Sequence, residues 1–364
     1  MGRKISLSRL SVRLAGACAL AAISLYGFRA GAQEQVPSAT AQVPAAPAPT
    51  EAPQFPKPNP TFFTATSPTA DEVNAFLQTS WGYNANRVWQ VQAIMKTPVP
   101  GVSKVVVLVG NKGGGNKIQV LEFFTMPDSK HIIAGNAVLP FGQHPYADDR
   151  AVLEARADGP YRGSPSKDLE LVEFADFQCP KCDQVEANMD RLAADFPSAR
   201  IVFENFPLTN VHPQSARAAA YGVCVNKLGG SVAFFDYASA VYGGQAGLAT
   251  ADGATLTLNS AVTKAGLDPA KVAACASTPE AAQEVESSVQ LARDLNINET
   301  PTLMVNGRQV PLGGVPYDTI KQIVEYQAKL DGVALATPAA SPAKSTEPTA
   351  NPPGPAKPKT LPNH

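Results

Sequence analysis

The chain has 364 residues, with 30 Lys and Arg against 31 Asp and Glu and a formal net charge of −1. That balance argues against nucleic-acid binding, which calls for a marked basic excess to meet phosphates. Charged residues make up only 17% and prolines number 33, against roughly 25% and ~5% in ordinary globular chains, so low-complexity segments lie beside a folded part of about two domains.

Residues 1–32 have the pattern of a cleaved secretory signal peptide. Arg3, Lys4, Arg9 and Arg13 form a basic front, and residues 14–28 are apolar. This run is shorter than the ~20 residues that cross a bilayer. Ala30-Gly31-Ala32 then supplies the small residues of a signal-peptidase site. An uncleaved anchor is the competing reading, but nothing downstream resembles a stop-transfer segment. The chain is therefore expected in the periplasm or outside the cell. Cys18 leaves with the signal. The mature chain keeps Cys179, Cys182, Cys224 and Cys275, an even number that suits an oxidising compartment.

Residues 33–60 and 334–364 are Pro/Ala-rich, with eight prolines in 36–60 and eight more in 338–362. Neither shows apolar periodicity, so both read as disordered linkers unable to offset their ordering entropy. Between them, residues 61–157 predict a small α+β domain. A helix signal covers residues 69–77. Trp89, Val91 and Ala93 alternate with Gln90 and Gln92, which predicts one buried face of a strand. Further strands are expected at 104–109, 117–125 and 131–139, joined by short turns into an antiparallel meander, with a helix at 148–157 leading out. The glycine-rich run 110–115 lacks the Lys-Ser/Thr ending of a phosphate loop and reads as a hairpin turn.

From residue 158 to 333 the pattern changes to α/β. An apolar strand at 169–177 contains one carboxylate, Glu173. The helix after it carries Cys182, Val185, Met189, Leu192 and Phe196 on one stripe. A strand at 200–206, an Ala-rich helical block at 213–276 and a helix marked by Val285, Val289 and Ala292 follow. A hairpin turning at Asn306-Gly307 and a final helix at 316–330 complete the order.

The chemistry lies where the first of these strands meets its helix, in Cys179-Pro180-Lys181-Cys182. Cys179 falls at the helix N-terminus, where free N–H groups and the macrodipole favour a thiolate. Pro180 suits the first helical position, and Lys181 adds a cation nearby. Cys182 lies about one turn on, so the pair reads as a reversible dithiol in which Cys179 attacks and Cys182 resolves. A zinc site is disfavoured because Cys224 and Cys275 are single and far apart. An inert disulfide is disfavoured because a tight loop at a helix start is strained and readily reduced. No metal, nucleotide or haem cofactor is expected.

The run from Leu171 to Cys182, Leu-Val-Glu-Phe-Ala-Asp-Phe-Gln-Cys-Pro-Lys-Cys, resembles the active-site strand and helix of the DsbA-like branch of the thioredoxin superfamily. The run from Ile297 to Gly307, Ile-Asn-Glu-Thr-Pro-Thr-Leu-Met-Val-Asn-Gly, is similar to the stretch around that family's cis-proline. The resemblance implies a thioredoxin fold with a helical insertion at about 208–295. It implies that Cys179 is the nucleophile, Cys182 the resolving thiol and Glu173 the buried acid beneath them. An exposed strand carboxylate is the other reading of Glu173. The resemblance further implies that Pro301 is the cis-proline, which would turn the Thr300 backbone toward an incoming peptide. It implies a structural disulfide between Cys224 and Cys275, with two buried free thiols as the alternative.

A shorter run, Asp128-Ser-Lys-His-Ile-Ile-Ala-Gly135, is similar to the dimerisation domain of the DsbC and DsbG isomerases, which implies a homodimer; an unrelated scaffold domain is the alternative. His131 reads as a strand residue and His212 as a loop or helix-start residue. The expected activity is thiol–disulfide oxidation or isomerisation of cysteine-containing secreted proteins, reset by a membrane redox partner. A peptide-binding chaperone or adaptor on the same scaffold, or a reductase dedicated to one client, are the alternatives.

Overall fold

The computed structural model describes residues 52–335. The expected signal peptide, the start of the linker and the C-terminal tail from residue 336 lie outside these residues. The expected linker to residue 60 is corrected at its end. From residue 52 the chain lies against a sheet, with Pro53 buried and the Pro56 carbonyl accepting from Gln92 Nε2 at 3.0 Å. A proline segment makes no internal hydrogen bonds, so its carbonyls are free for such use.

The first part begins with α1 (Ala70–Trp81), opened by a capping box in which Thr69 and Glu72 satisfy each other's backbone N–H groups. The helix continues one turn past the expected Leu77, and Trp81 packs edge-on against Trp89 with centroids 6.0 Å apart. Strands β1 (Arg87–Lys96), β2 (Ser103–Asn111), β3 (Gln119–Thr125), β4 (His131–Ala134) and β5 (Ala137–Pro140) form an antiparallel meander in sequence order. The glycine-rich run is the β2–β3 turn.

Two strand readings are corrected. Residues 131–139 are two strands, because Gly135, at φ +61°, turns the chain with Asn136. Ala93 does not share a face with Val91. Val91 pairs with Val107 but Ala93 with Val106, so a bulge at Gln92 reverses the alternation and brings Ile94 inward. Val91, Ile94, Val105, Val107, Phe123 and Ile132 then bury against Val73, Phe76 and Leu77 of α1.

Helix α2 (Ala147–Arg156) leads into the second sheet, made of β6 (Tyr161–Gly163), β7 (Glu170–Ala175), β8 (Arg200–Asn205), β9 (Thr302–Val305) and β10 (Arg308–Pro311). The strand order is β10-β9-β7-β8-β6, and only β7 and β8 run parallel. Helices α3 (Pro180–Asp195) and α8 (Tyr317–Leu330) cover one face, burying Leu171, Val185, Met189, Leu303, Ile320 and Val324 together. Helix α7 (Pro279–Asp294) covers the other, against Val172, Phe174, Val202 and Met304. This is the α/β fold with a helical insertion, behind an antiparallel meander, that the resemblance implies.

The insertion consists of α4 (Ser215–Gly243), α5 (Ala251–Lys264) and α6 (Pro269–Ala276). It is shorter than the expected 208–295, because α7 packs on the sheet and is the fold's own crossover. Gly230, at φ +76°, breaks α4 into two segments. Cys224 of α4 and Cys275 of α6 are joined as a disulfide.

Arg308 fastens the two parts together. It is buried and donates to Gln327 Oε1 at 2.9 Å, to the Ser80 carbonyl at 3.0 Å and to the Thr79 carbonyl. Those two carbonyls lie in the last turn of α1, where intrahelical partners run out.

Candidate active site at the start of α3

The apolar run of β7 ends at Ala175, and Asp176 builds the turn into the helix. Its carbonyl accepts from Cys179 N at 3.0 Å, and its carboxylate accepts from Gln178 N at 2.7 Å. Cys179 is the N-cap of α3 and Pro180 occupies the first turn. Cys182 follows one turn later on the buried stripe. Both thiols are free and buried, Cys182 completely and Cys179 with 6% exposed.

The two sulfurs are set far apart in acidity. The Cys179 thiol is lowered to about 5, first by a hydrogen bond from the Cys182 thiol, then by the backbone N–H groups of Cys182 and Lys181. Burial opposes this shift without cancelling it. The Cys182 thiol is pushed well up, chiefly by burial. One sulfur is thus a thiolate at neutral pH while its neighbour holds the proton.

The backbone N–H of Lys181 serves the thiolate, and its side chain runs over Gly313.

The Thr300–Pro301 peptide is cis. The Thr300 carbonyl lies 3.7 Å from Cys179 Sγ, within reach of the thiol as donor. Glu173 sits at the centre of β7, paired with Phe203 and Leu303 on either side, and is 2% exposed. This rules out an exposed strand carboxylate. Burial, then the nearby Glu186 charge, raises its carboxyl to about 8. Glu186 on α3 and Arg162 on β6 lie 3.4 Å apart, and Arg162 reaches Asp190 at 2.6 Å.

Sequence reasoning missed the ties that hold this turn to the loop before α4 and to the insertion. The Asp176 carboxylate also accepts from Leu208 N at 2.7 Å and contacts His212 Nδ1 at 2.8 Å. The Asp176 N–H points to Cys182 Sγ at 3.5 Å. His212 is thus a loop residue, one contact removed from the dithiol. Gln245 Nε2 donates to both the Phe177 and Cys179 carbonyls at 3.0 Å. Asp176 stands inside the quoted motif and could have been noticed; Gln245 has no sequence signal. His131 opens β4 of the first sheet and pairs with Asp128 at 2.6 Å. Among the described residues, no group of three or more His, Cys, Asp or Glu side chains is placed to hold a metal ion.

Comparison with known proteins gives one family match and several partial likenesses. A family model described as thioredoxin matches residues 156–326. The Na(+)/H(+) antiporter NhaA 3 of Salinispora tropica is 30% identical over 148 residues, covering 41% of this chain and 22% of that protein. The chain therefore matches only a minor part of that relative's length. A thioredoxin-like oxidoreductase from Silicibacter pomeroyi is similar at 24% identity and a TM-score of 0.43, over 50% of this chain and 98% of that one. A periplasmic thioredoxin-like protein from Salmonella enterica is similar at 21% identity and a TM-score of 0.41, over 50% and 96%.

Proposed function

We propose that this chain, of which residues 156–326 match a family model described as thioredoxin, is an exported thiol–disulfide oxidoreductase of cysteine-containing proteins, working through Cys179 and Cys182. The carrying observation is the split acidity of two free thiols one turn apart, Cys179 lowered to about 5 and Cys182 raised. A nucleophile must be ionised and its resolving partner held in reserve, and this pair has that division.

In the reducing direction, the Cys179 thiolate attacks a substrate disulfide. One substrate sulfur leaves as thiolate with the bond's electron pair, and a mixed disulfide forms. Glu173, with its carboxyl near 8, can take the Cys182 proton. The Cys182 sulfur then attacks Cys179, the Cys179–substrate bond breaks, and the second substrate thiolate departs. The protein dithiol is oxidised and the substrate disulfide reduced.

The oxidising direction is the reverse, and the acidity of Cys179 favours it. At pH 7 a thiol at about 5 stabilises the reduced dithiol by about 3 kcal/mol over an ordinary thiol. That shifts the couple by roughly 60 mV toward oxidation of substrates. A membrane redox partner would return the dithiol to its disulfide.

Export is supported by the basic-then-apolar start ending in Ala30-Gly31-Ala32. A homodimer through the first part is supported by its outer face. There Phe124, Ile133 and Val138 are cross-strand neighbours, all exposed, beside the free edge of β5.

The test compares the wild-type chain with Cys179→Ala in insulin reduction and in reactivation of scrambled ribonuclease. Wild-type turnover lost in the variant supports the proposal. Absence of turnover in both assays defeats it, and a binding activity kept by Cys179→Ala would favour the chaperone alternative.

A further inference from the structure

The insertion brings one polar atom to the dithiol that the exchange chemistry above leaves unused. Tyr242 lies near the end of α4, 4% exposed, with its ring 5.4 Å from that of Phe177. Its hydroxyl is buried and has no hydrogen-bond partner. Beyond burial itself, the charges acting on the phenol are, from strongest to weakest, those of Cys182, Glu173, Glu186 and Asp176. Each is an acceptor when ionised. Burial keeps the phenol protonated, so the hydroxyl remains a donor across the working pH range. Glu173 Oε1 is likewise buried without a partner. Tyr242, Cys182 and Phe203 pack in one buried cluster, and Phe203 is the partner of Glu173 in the neighbouring strand. Two orphaned oxygens in this region, one a permanent donor and the other an acceptor once ionised, call for an explanation.

We propose that Tyr242 is a positioning residue supplied by the insertion, whose hydroxyl donates to Glu173, directly or through one water, whenever that carboxyl is ionised. The proposal rests on the oxidoreductase reading. In the resolving step the Cys182 S–H bond breaks, its proton passes to the Glu173 carboxylate, and the sulfur's electron pair attacks Cys179. Tyr242 stabilises the carboxylate before the transfer and is not consumed. The other groups around Glu173 are Cys182, Glu186 and Asp190 from α3 and Arg162 from β6, and all of them persist when the hydroxyl is removed.

Tyr242→Phe deletes one oxygen and keeps the ring that packs on Phe177. The Glu173 midpoint is followed by NMR of isotope-labelled glutamate carboxyls in the reduced full-length chain, alongside the pH dependence of product release from the mixed disulfide. The expected result is a rise of about one pH unit in both midpoints, because the ionised form loses its donor. In a Glu173→Gln background the added Tyr242→Phe change should move no limb of the release profile. A Glu173 midpoint in Tyr242→Phe that stays in place or falls overturns the proposal. A shifted midpoint in a chain without disulfide exchange would keep the hydrogen bond and overturn the oxidoreductase reading instead.

Discussion

Glu173→Gln removes the carboxyl beneath the dithiol, and its effect on stability is set by the size of the displacement. The carboxyl stands at about 8 in the folded chain against an ordinary 4.5. Between those values the folded chain holds a proton that the unfolded chain has released. Stability must therefore fall with rising pH by about 1.4 kcal/mol per unit. The contribution is fully present below 4.5 and lost as pH rises through about 8, about 5 kcal/mol in all. Glutamine does not titrate, so the variant lacks this slope.

Glu204, raised to about 7 by burial, contributes in both proteins and cancels. Urea unfolding of the two reduced chains from pH 5 to pH 8 should show the variant gaining about 4 kcal/mol on the wild type across that range. A difference that stays constant with pH would refute the burial-driven account of Glu173.

Cys182→Ala removes the hydrogen bond that most lowers the Cys179 midpoint, so the alkylation midpoint of Cys179 should rise by about two pH units toward the free-thiol value of ~8.5. A midpoint still near 5 would show that the helix start alone sets it. Ile133→Lys with Val138→Lys places charges in the exposed row of the first part. Sedimentation equilibrium should find a dimer in the wild type and a monomer in the variant, and a wild-type monomer would contradict the proposed interface.

Much of this arrangement was legible because its signals are local. The stripe from Cys182 to Leu192 marks α3, Asn306-Gly307 marks the last hairpin, and the Cys-Pro-Lys-Cys run marks the dithiol. What escaped is non-local or too short to leave a period. Strand β6 has three residues, too few to alternate. The bulge at Gln92 reverses a pattern that a strict two-residue repeat carries on. The Ala-rich block revealed helices but neither its break at Gly230 nor its working face.

Gln245 reaches the Cys179 carbonyl across 66 residues, and Asp176 meets His212 across 36. Tyr242 sits in the same Ala-rich helix with nothing local to distinguish it. Glu173 stood out as the one acid in an apolar strand, but its depth is fixed by β8 and β9 on either side.

The most direct measurement is the pH dependence of Cys179 alkylation in the reduced wild-type chain. With Cys182 buried and Cys224 and Cys275 bridged, one fast-reacting thiol is expected, with a midpoint near 5. A midpoint at ~8.5 or above, the range of an unassisted thiol, would contradict the account.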